Sequence, residues 1–256
     1  MMNKHLDIHD AYISALRNVW YNYEYRCSPR GLPIREITDY TFRVTIPICE
    51  PIETADEERN KVIERYTKQE VDLYNACTNR VEDFAKASKF WNKLVNPDEC
   101  TINSAYGYLI WKNRSVGNPK WESGIRRPCQ ENSHCQRTPW DWCVESLRRD
   151  KDTRQAILRF SLPEHQWFGN KDQVCTMHGN FLIRDDCLNL IIIMRSNDLM
   201  KGLVYDLPWF VSLIDRMVDD LKDTYPNLRK GTYTHMSHSM HIYEKDEAAI
   251  LKMIGE

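Results

Sequence analysis

The run "LNLIIIM" at residues 188–194, followed without a break by "RSND" at 195–198, constrains this chain more than any other feature. Its β-branched, almost uninterrupted apolar side chains predict a buried strand. Such a strand needs neighbours. "QAILRFSL" (155–162) and "VCTMHGNFLI" (174–183) precede it and "GTYTHMSHSMHIY" (231–243) follows, each reading as a further strand. Between them Phe210, Val211, Ile214, Met217, Val218 and Leu221 recur at helical spacing, which predicts an amphipathic helix over 206–222. The polar cluster that ends the apolar run, with Asp206 at the mouth of that helix, is costly to bury unless something polar sits against it. Either the strand has reached the surface or a polar ligand binds there.

Upstream, a helix is expected over 6–24, and "TFRVTIPI" (41–48) alternates as a half-buried strand. A longer helix follows "ETADEERN", with Val62, Ile63, Tyr66, Leu73 and Tyr74 on one face and Glu70 four residues from both tyrosines. A carboxyl on an apolar face has a raised pKa, which suits proton exchange near neutrality. The alternative is an acid at the rim paired with a base. Residues 113–139 read as a long loop or insertion. From Lys112 to Arg149 the chain carries eight basic and four acidic residues, a local excess that could attract phosphate or an anionic tail, although charged loops are ordinarily just solvated.

With 35 basic and 37 acidic residues among 256, the chain has no global charge footprint for nucleic acid or an anionic membrane. No apolar stretch is long enough to span a bilayer, and "MMNKHLDIHD" does not look like a signal peptide. The expectation is a cytoplasmic protein forming one domain over 1–256. Nine irregularly spaced cysteines suggest free thiols. Cys129, His134, Cys135 and Cys143 are a local concentration without paired zinc spacing, and His238 points away from His235 and His241 on an alternating strand, so no metal is expected. Cys175 is the candidate nucleophile, because Arg195 on the neighbouring strand should favour its thiolate.

These residues carry a family resemblance. Cys175, "RSND", Gly202, Asp206 and "HIY" at 241–243 resemble the thymidylate synthase family in order and spacing, as do "DKDTRQAIL", "INSAYGYLIW", "KFWNKL" and the helix bearing Glu70. The resemblance implies an α+β fold with one large mixed sheet flanked by helices, and a sheet-to-sheet homodimer. It implies that Cys175 adds to C6 of a pyrimidine nucleotide, that Glu70 moves protons, and that 5,10-methylenetetrahydrofolate is cosubstrate. Arg195, Ser196 and the partner protomer's copy of Arg154 would hold phosphate, Asn180 would lie near phosphate and base, and His241 and Tyr243 would meet the sugar. Trp91 and Asp198 would contact the folate. Gln155 replaces the second arginine of the family's pair, leaving Arg30 or Arg35 to compensate, and Thr176 stands where synthases usually have histidine.

Asp206 stands where the synthases have asparagine. A carboxylate accepts from the amino group of cytosine but opposes O4 of uracil. The implied substrate is therefore dCMP, as in the deoxycytidylate hydroxymethylase branch, and Ser196 fits dCMP over CMP. The short stretch after Tyr243 suggests a wetter site, where water rather than hydride completes the reaction and gives 5-hydroxymethyl-dCMP. dCMP methylation with release of dihydrofolate, dUMP methylation, CMP hydroxymethylation and an inactive nucleic-acid-binding relative stay open.

Overall fold

The computed structural model describes residues 3–97, 99–113 and 138–256, and its centre is an eight-stranded mixed sheet. The strands are β1 (Asn3–His5), β2 (Tyr25–Cys27), β3 (Ile34–Val44), β4 (Ile157–Arg159), β5 (Thr176–Arg184), β6 (Cys187–Met194), β7 (Asn197–Asp198) and β8 (Arg229–Tyr243). Their order across the sheet is β1-β3-β8-β6-β5-β4, with β2 on β3 and β7 on β8. β5 and β6 form a hairpin through Asp185 and Asp186, whose φ angles of 51° and 56° give the left-handed turn that matches strand twist. β6 then pairs parallel with β8 through a helical crossover.

The helices are α1 (Ile8–Tyr21), α2 (Glu57–Asn75), α3 (Val81–Ala87), α4 (Tyr106–Trp111), α5 (Pro139–Arg149), α6 (Val204–Leu221) and α7 (Glu247–Ile254). Several starts are set locally: Asp7 accepts from the Asp10 amide, Asp56 from those of Glu58 and Arg59, and Thr138 exchanges bonds with Asp141. α6 is the central helix. Leu207, Phe210, Val211, Ile214 and Met217 are fully buried there, and Trp209 packs with Tyr74, Tyr106, Trp111, Phe160 and Phe210.

The expected α+β architecture is present, with local differences. In β6, Leu188, Leu190 and Ile192 are sealed on the face that packs on α6, whereas Asn189, Ile191 and Ile193 are only half-covered on the other. The strand is therefore sealed on one face rather than two. β3 begins well before "TFRV" and ends at Val44, and the first helix stops at Tyr21, where the Asn22 amide bonds back to Asn18.

α6 is preceded by one wide π-type turn, Leu199–Leu203, and Asp206 sits in the first turn of α6 without capping it. Asp198 is the capping residue instead, accepting from the Met200 amide at 2.8 Å. Of the 113–139 insertion, residues 114–137 lie outside the described residues, as do Cys129, His134 and Cys135 of the considered zinc cluster; Cys143 is buried in α5. Among the described residues no three potential ligands gather as a metal site, and no helix is long and apolar enough to cross a membrane.

Candidate active site

Cys175 immediately precedes β5, where an irregular register between Thr176 and His178 redirects the chain. Its carbonyl accepts from the Arg195 amide at 2.9 Å, so the end of β6 fixes the two residues together. The Arg195 side chain folds back on the same segment. Nε donates to the Val174 carbonyl at 3.1 Å, and Nη2 donates to the Gln173 carbonyl at 2.5 Å and lies 3.4 Å from the Cys175 sulfur.

Burial nonetheless pushes the thiol up from its ordinary value, opposed chiefly by Arg195, while Asp206 and Asp172 push it further up and Arg30 pulls it down. Arg195 therefore pulls the thiol down as expected, but burial outweighs it and the net shift is upward. Arg30 is exposed in a left-handed turn at φ 54° and its charge reaches the thiol. Arg35 is committed elsewhere, stacked on Trp20 with Nη1 donating to the Trp20 carbonyl at 2.6 Å. Of the two arginines considered to compensate for Gln155, only Arg30 therefore faces this region.

Glu70 enters from α2. Tyr74 and Tyr66 donate to its Oε1 at 3.2 and 3.4 Å, and the Trp91 ring nitrogen donates to Tyr66 at 2.9 Å. Burial, and after it the Asp206 charge, raises the Glu70 carboxyl to about 8, against which the tyrosine bonds pull down. Asp206, 8 % exposed, is raised by burial to about 7. Cys175, Glu70 and Asp206 converge on one phenol, because the charges of all three bear on Tyr106. Tyr106 lies within the "INSAYGYLIW" segment, but nothing in its own spacing marks it as the centre of this cluster.

The polar cluster after β6 spreads over two directions. Ser196 Oγ lies 3.5 Å from His241 Nδ1, the His241 ring meets Tyr243 edge-on at 5.6 Å, and Asp198 pairs with His241 in the sheet. Asp198 is half-buried, and desolvation raises its carboxyl, the nearby His241 offsetting part of that rise. Asn197 points inward beside His235. Asn180 uses its amide nitrogen on the Ala156 carbonyl at 3.0 Å, so that donor is spent on joining β5 to the segment before β4. Arg154 and Gln155 are exposed on that segment.

Tyr205, Arg59 and Tyr12 were not anticipated. Arg59 Nη2 donates to the Met200 carbonyl at 2.8 Å and Tyr12 to the Leu199 carbonyl at 3.0 Å, tethering the wide turn that leads into α6 and Asp206. Tyr205 packs on Tyr66 at 4.5 Å. A turn with displaced carbonyls has no signature in single-sequence periodicity.

The family model described as thymidylate synthase matches residues 10–255. This chain belongs to the thymidylate synthase family. It is 27 % identical over 227 residues to the deoxycytidylate 5-hydroxymethyltransferase of Enterobacteria phage T4, covering 84 % of this chain and 83 % of that protein. It is 24 % identical over 248 residues to a putative thymidylate synthase of Methanococcoides burtonii, covering 96 % and 91 %. The solved thermostable thymidylate synthase A of Bacillus subtilis has the same fold, with a TM-score of 0.66 at 14 % identity over 97 % of this chain and 84 % of that one. These relatives are one-carbon transferases by name, and the chain is a one-carbon transferase of this thymidylate synthase family.

Proposed function

We propose that this enzyme hydroxymethylates C5 of dCMP, using Cys175 as nucleophile, Glu70 as proton carrier and Asp206 as reader of the cytosine edge. The buried Asp206 carboxyl, placed where its charge bears on the Cys175 thiol, carries the reading. The phage T4 relative, named for deoxycytidylate hydroxymethyl transfer, supports the same substrate class.

In this mechanism the Cys175 proton leaves first and the sulfur bonds to ring C6. The phosphate that Arg195, Ser196 and Arg30 would hold brings the ring over the thiol, and the positive charge of Arg195 stabilises the thiolate at that moment. Bonding at C6 places negative charge on the ring. Asp206 accepts from the exocyclic amino group and favours a proton on N3, which disperses that charge. Glu70, near 8, is ionised in part at neutral pH and protonated in part, so it can take the C5 proton through water and return one. C5 would bond to the one-carbon unit, whose bond to the folate nitrogen breaks to release tetrahydrofolate; water would then add to that carbon to give the hydroxymethyl group, and C6–sulfur cleavage would regenerate the thiol.

5,10-Methylenetetrahydrofolate supplies the one-carbon unit. The residues suit a flat heteroaromatic cosubstrate: Phe90 is half exposed beside Trp91, and Trp91 is continuous through Tyr66 with Tyr205, whose hydroxyl feels the Asp198 charge. Trp91 would pack against the folate and Asp198 would address its pterin. His241 and Tyr243 would meet the sugar. The half-covered Ile191 and Ile193 favour a sheet-to-sheet homodimer of a single catalytic domain spanning 1–256, in which exposed Arg154 reaches the partner's site. Incubation with dCMP and the folate, followed by mass analysis, tests the reaction: 5-hydroxymethyl-dCMP with tetrahydrofolate is expected, and 5-methyl-dCMP with dihydrofolate would replace it with methyl transfer.

A further inference from the structure

Asn197, third residue of "RSND", is 2 % exposed, yet its side-chain oxygen has no hydrogen-bond partner. The amide nitrogen is engaged behind the site, donating to Met194 Sδ at 2.9 Å and lying 3.4 Å from His235 Nε2. His235 is itself fixed. It stacks on Phe42 at 5.2 Å, its Nδ1 is 2.8 Å from the Tyr233 hydroxyl, and burial lowers its pKa to about 3, so it is a neutral partner. With the nitrogen held there, the oxygen is turned toward Gly202. A Cβ at position 202 would stand 2.5 Å from Asn197 Oδ1 and 3.5 Å from Asp206 Oδ2. Two acceptor oxygens, one from β7 and one from α6, therefore border the same point beside a residue with no side chain.

Leaving a buried acceptor unsatisfied is costly, and the cost ends when a donor arrives. A pair of acceptors fits a group with two N–H bonds. We propose that Asn197 is a specificity-determining residue whose amide oxygen, together with the Asp206 carboxylate, receives the two hydrogens of the cytosine amino group, directly or through one water. This rests on the reading of Asp206 given above and extends it. Uracil offers O4 at the same place, a third acceptor with no proton to share. An amide oxygen also stays an acceptor at pH values where a carboxyl takes up a proton and becomes a donor, so Asn197 keeps the discrimination when Asp206 is neutral.

The test compares dCMP with dUMP, both as dissociation constants and as kcat/KM, for wild type, Asn197→Leu and Asn197→Ser, with melting temperature as the check on folding. Both variants are expected to lower the dCMP:dUMP ratio about tenfold through weaker dCMP binding, the size of one buried hydrogen bond. Asn197→Ser, which leaves the core less crowded, decides the matter if Asn197→Leu does not fold. An unchanged ratio in a folded variant of a dCMP-preferring enzyme overturns the role of Asn197 alone. Weaker use of dUMP with dCMP unaffected also overturns it, by placing the amide nitrogen against the ring. A wild-type enzyme that prefers dUMP overturns both this assignment and the role of Asp206.

Discussion

Arg195 Nη2 lies 3.4 Å from the Cys175 sulfur while the same guanidinium is anchored on the carbonyls of Gln173 and Val174. The arginine is therefore placed by the backbone of the segment it activates, and it counters a thiol that burial would otherwise hold protonated. Replacing Arg195 with Gln is expected to slow alkylation of Cys175 by iodoacetamide about tenfold at neutral pH, because a shift of one pKa unit changes the thiolate fraction by that factor. Mass analysis of the labelled peptide gives the rate. Equal rates in the two proteins would remove Arg195 from thiol activation.

The two buried carboxyls make stability fall as pH rises. Glu70 goes from 4.5 to about 8 and Asp206 from 3.8 to about 7 on folding, so across that window the folded protein holds protons that the unfolded chain has released. Stability is fully present below the unfolded values and is lost as pH climbs toward the folded ones. Urea midpoints measured against pH should decline over this range in wild type, and Glu70→Gln should flatten the decline while lowering kcat about a hundredfold or more. A wild-type midpoint that rises over the same interval would contradict the burial of both groups.

Tyr66 links Trp91 to Glu70 through one hydroxyl. Its bond to Glu70 favours the carboxylate, so Tyr66→Phe should raise the Glu70 pKa further. The limb of the pH–rate profile that belongs to Glu70 is expected to move to higher pH. A profile that loses amplitude without moving would assign Tyr66 to packing alone.

Gly107 admits α4 against α2, since a Cβ there would stand 1.9 Å from the Tyr74 carbonyl oxygen. Backbone cannot yield as a flexible side chain can. Gly107→Ala is expected to cost about 3 kcal/mol of stability and to reduce activity by displacing Tyr74 from Glu70, both readable from denaturation and steady-state rates.

Much of this was legible in the sequence where one local rule decides the outcome. The apolar period of α6, the Ile-rich β6 and the shared face of Tyr66, Glu70 and Tyr74 follow from side-chain spacing, and the structure has all three, with β6 sealed on one face only. The site residues that family order pointed to, Cys175, Arg195, Ser196 and His241, fall beside one another because β5, β6 and β8 are neighbours. The wide turn before α6 was hidden, since it depends on Arg59 and Tyr12, far along the chain, taking its carbonyls. That turn leaves Asp206 in the first turn of α6 but gives the cap to Asp198. The sign of the Cys175 shift was hidden for a similar reason: burial comes from the whole fold, whereas a neighbouring arginine can be read from two strands.

The central claim is that Asp206 selects an amino-bearing pyrimidine, and the ratio of kcat/KM for dCMP to that for dUMP tests it most directly. Only the ionised carboxyl is purely an acceptor, so the wild-type ratio should favour dCMP and increase as pH passes about 7, and Asp206→Asn should turn the preference toward dUMP and remove the pH dependence. A wild-type preference for dUMP, or an Asp206→Asn variant with an unchanged ratio, would contradict it.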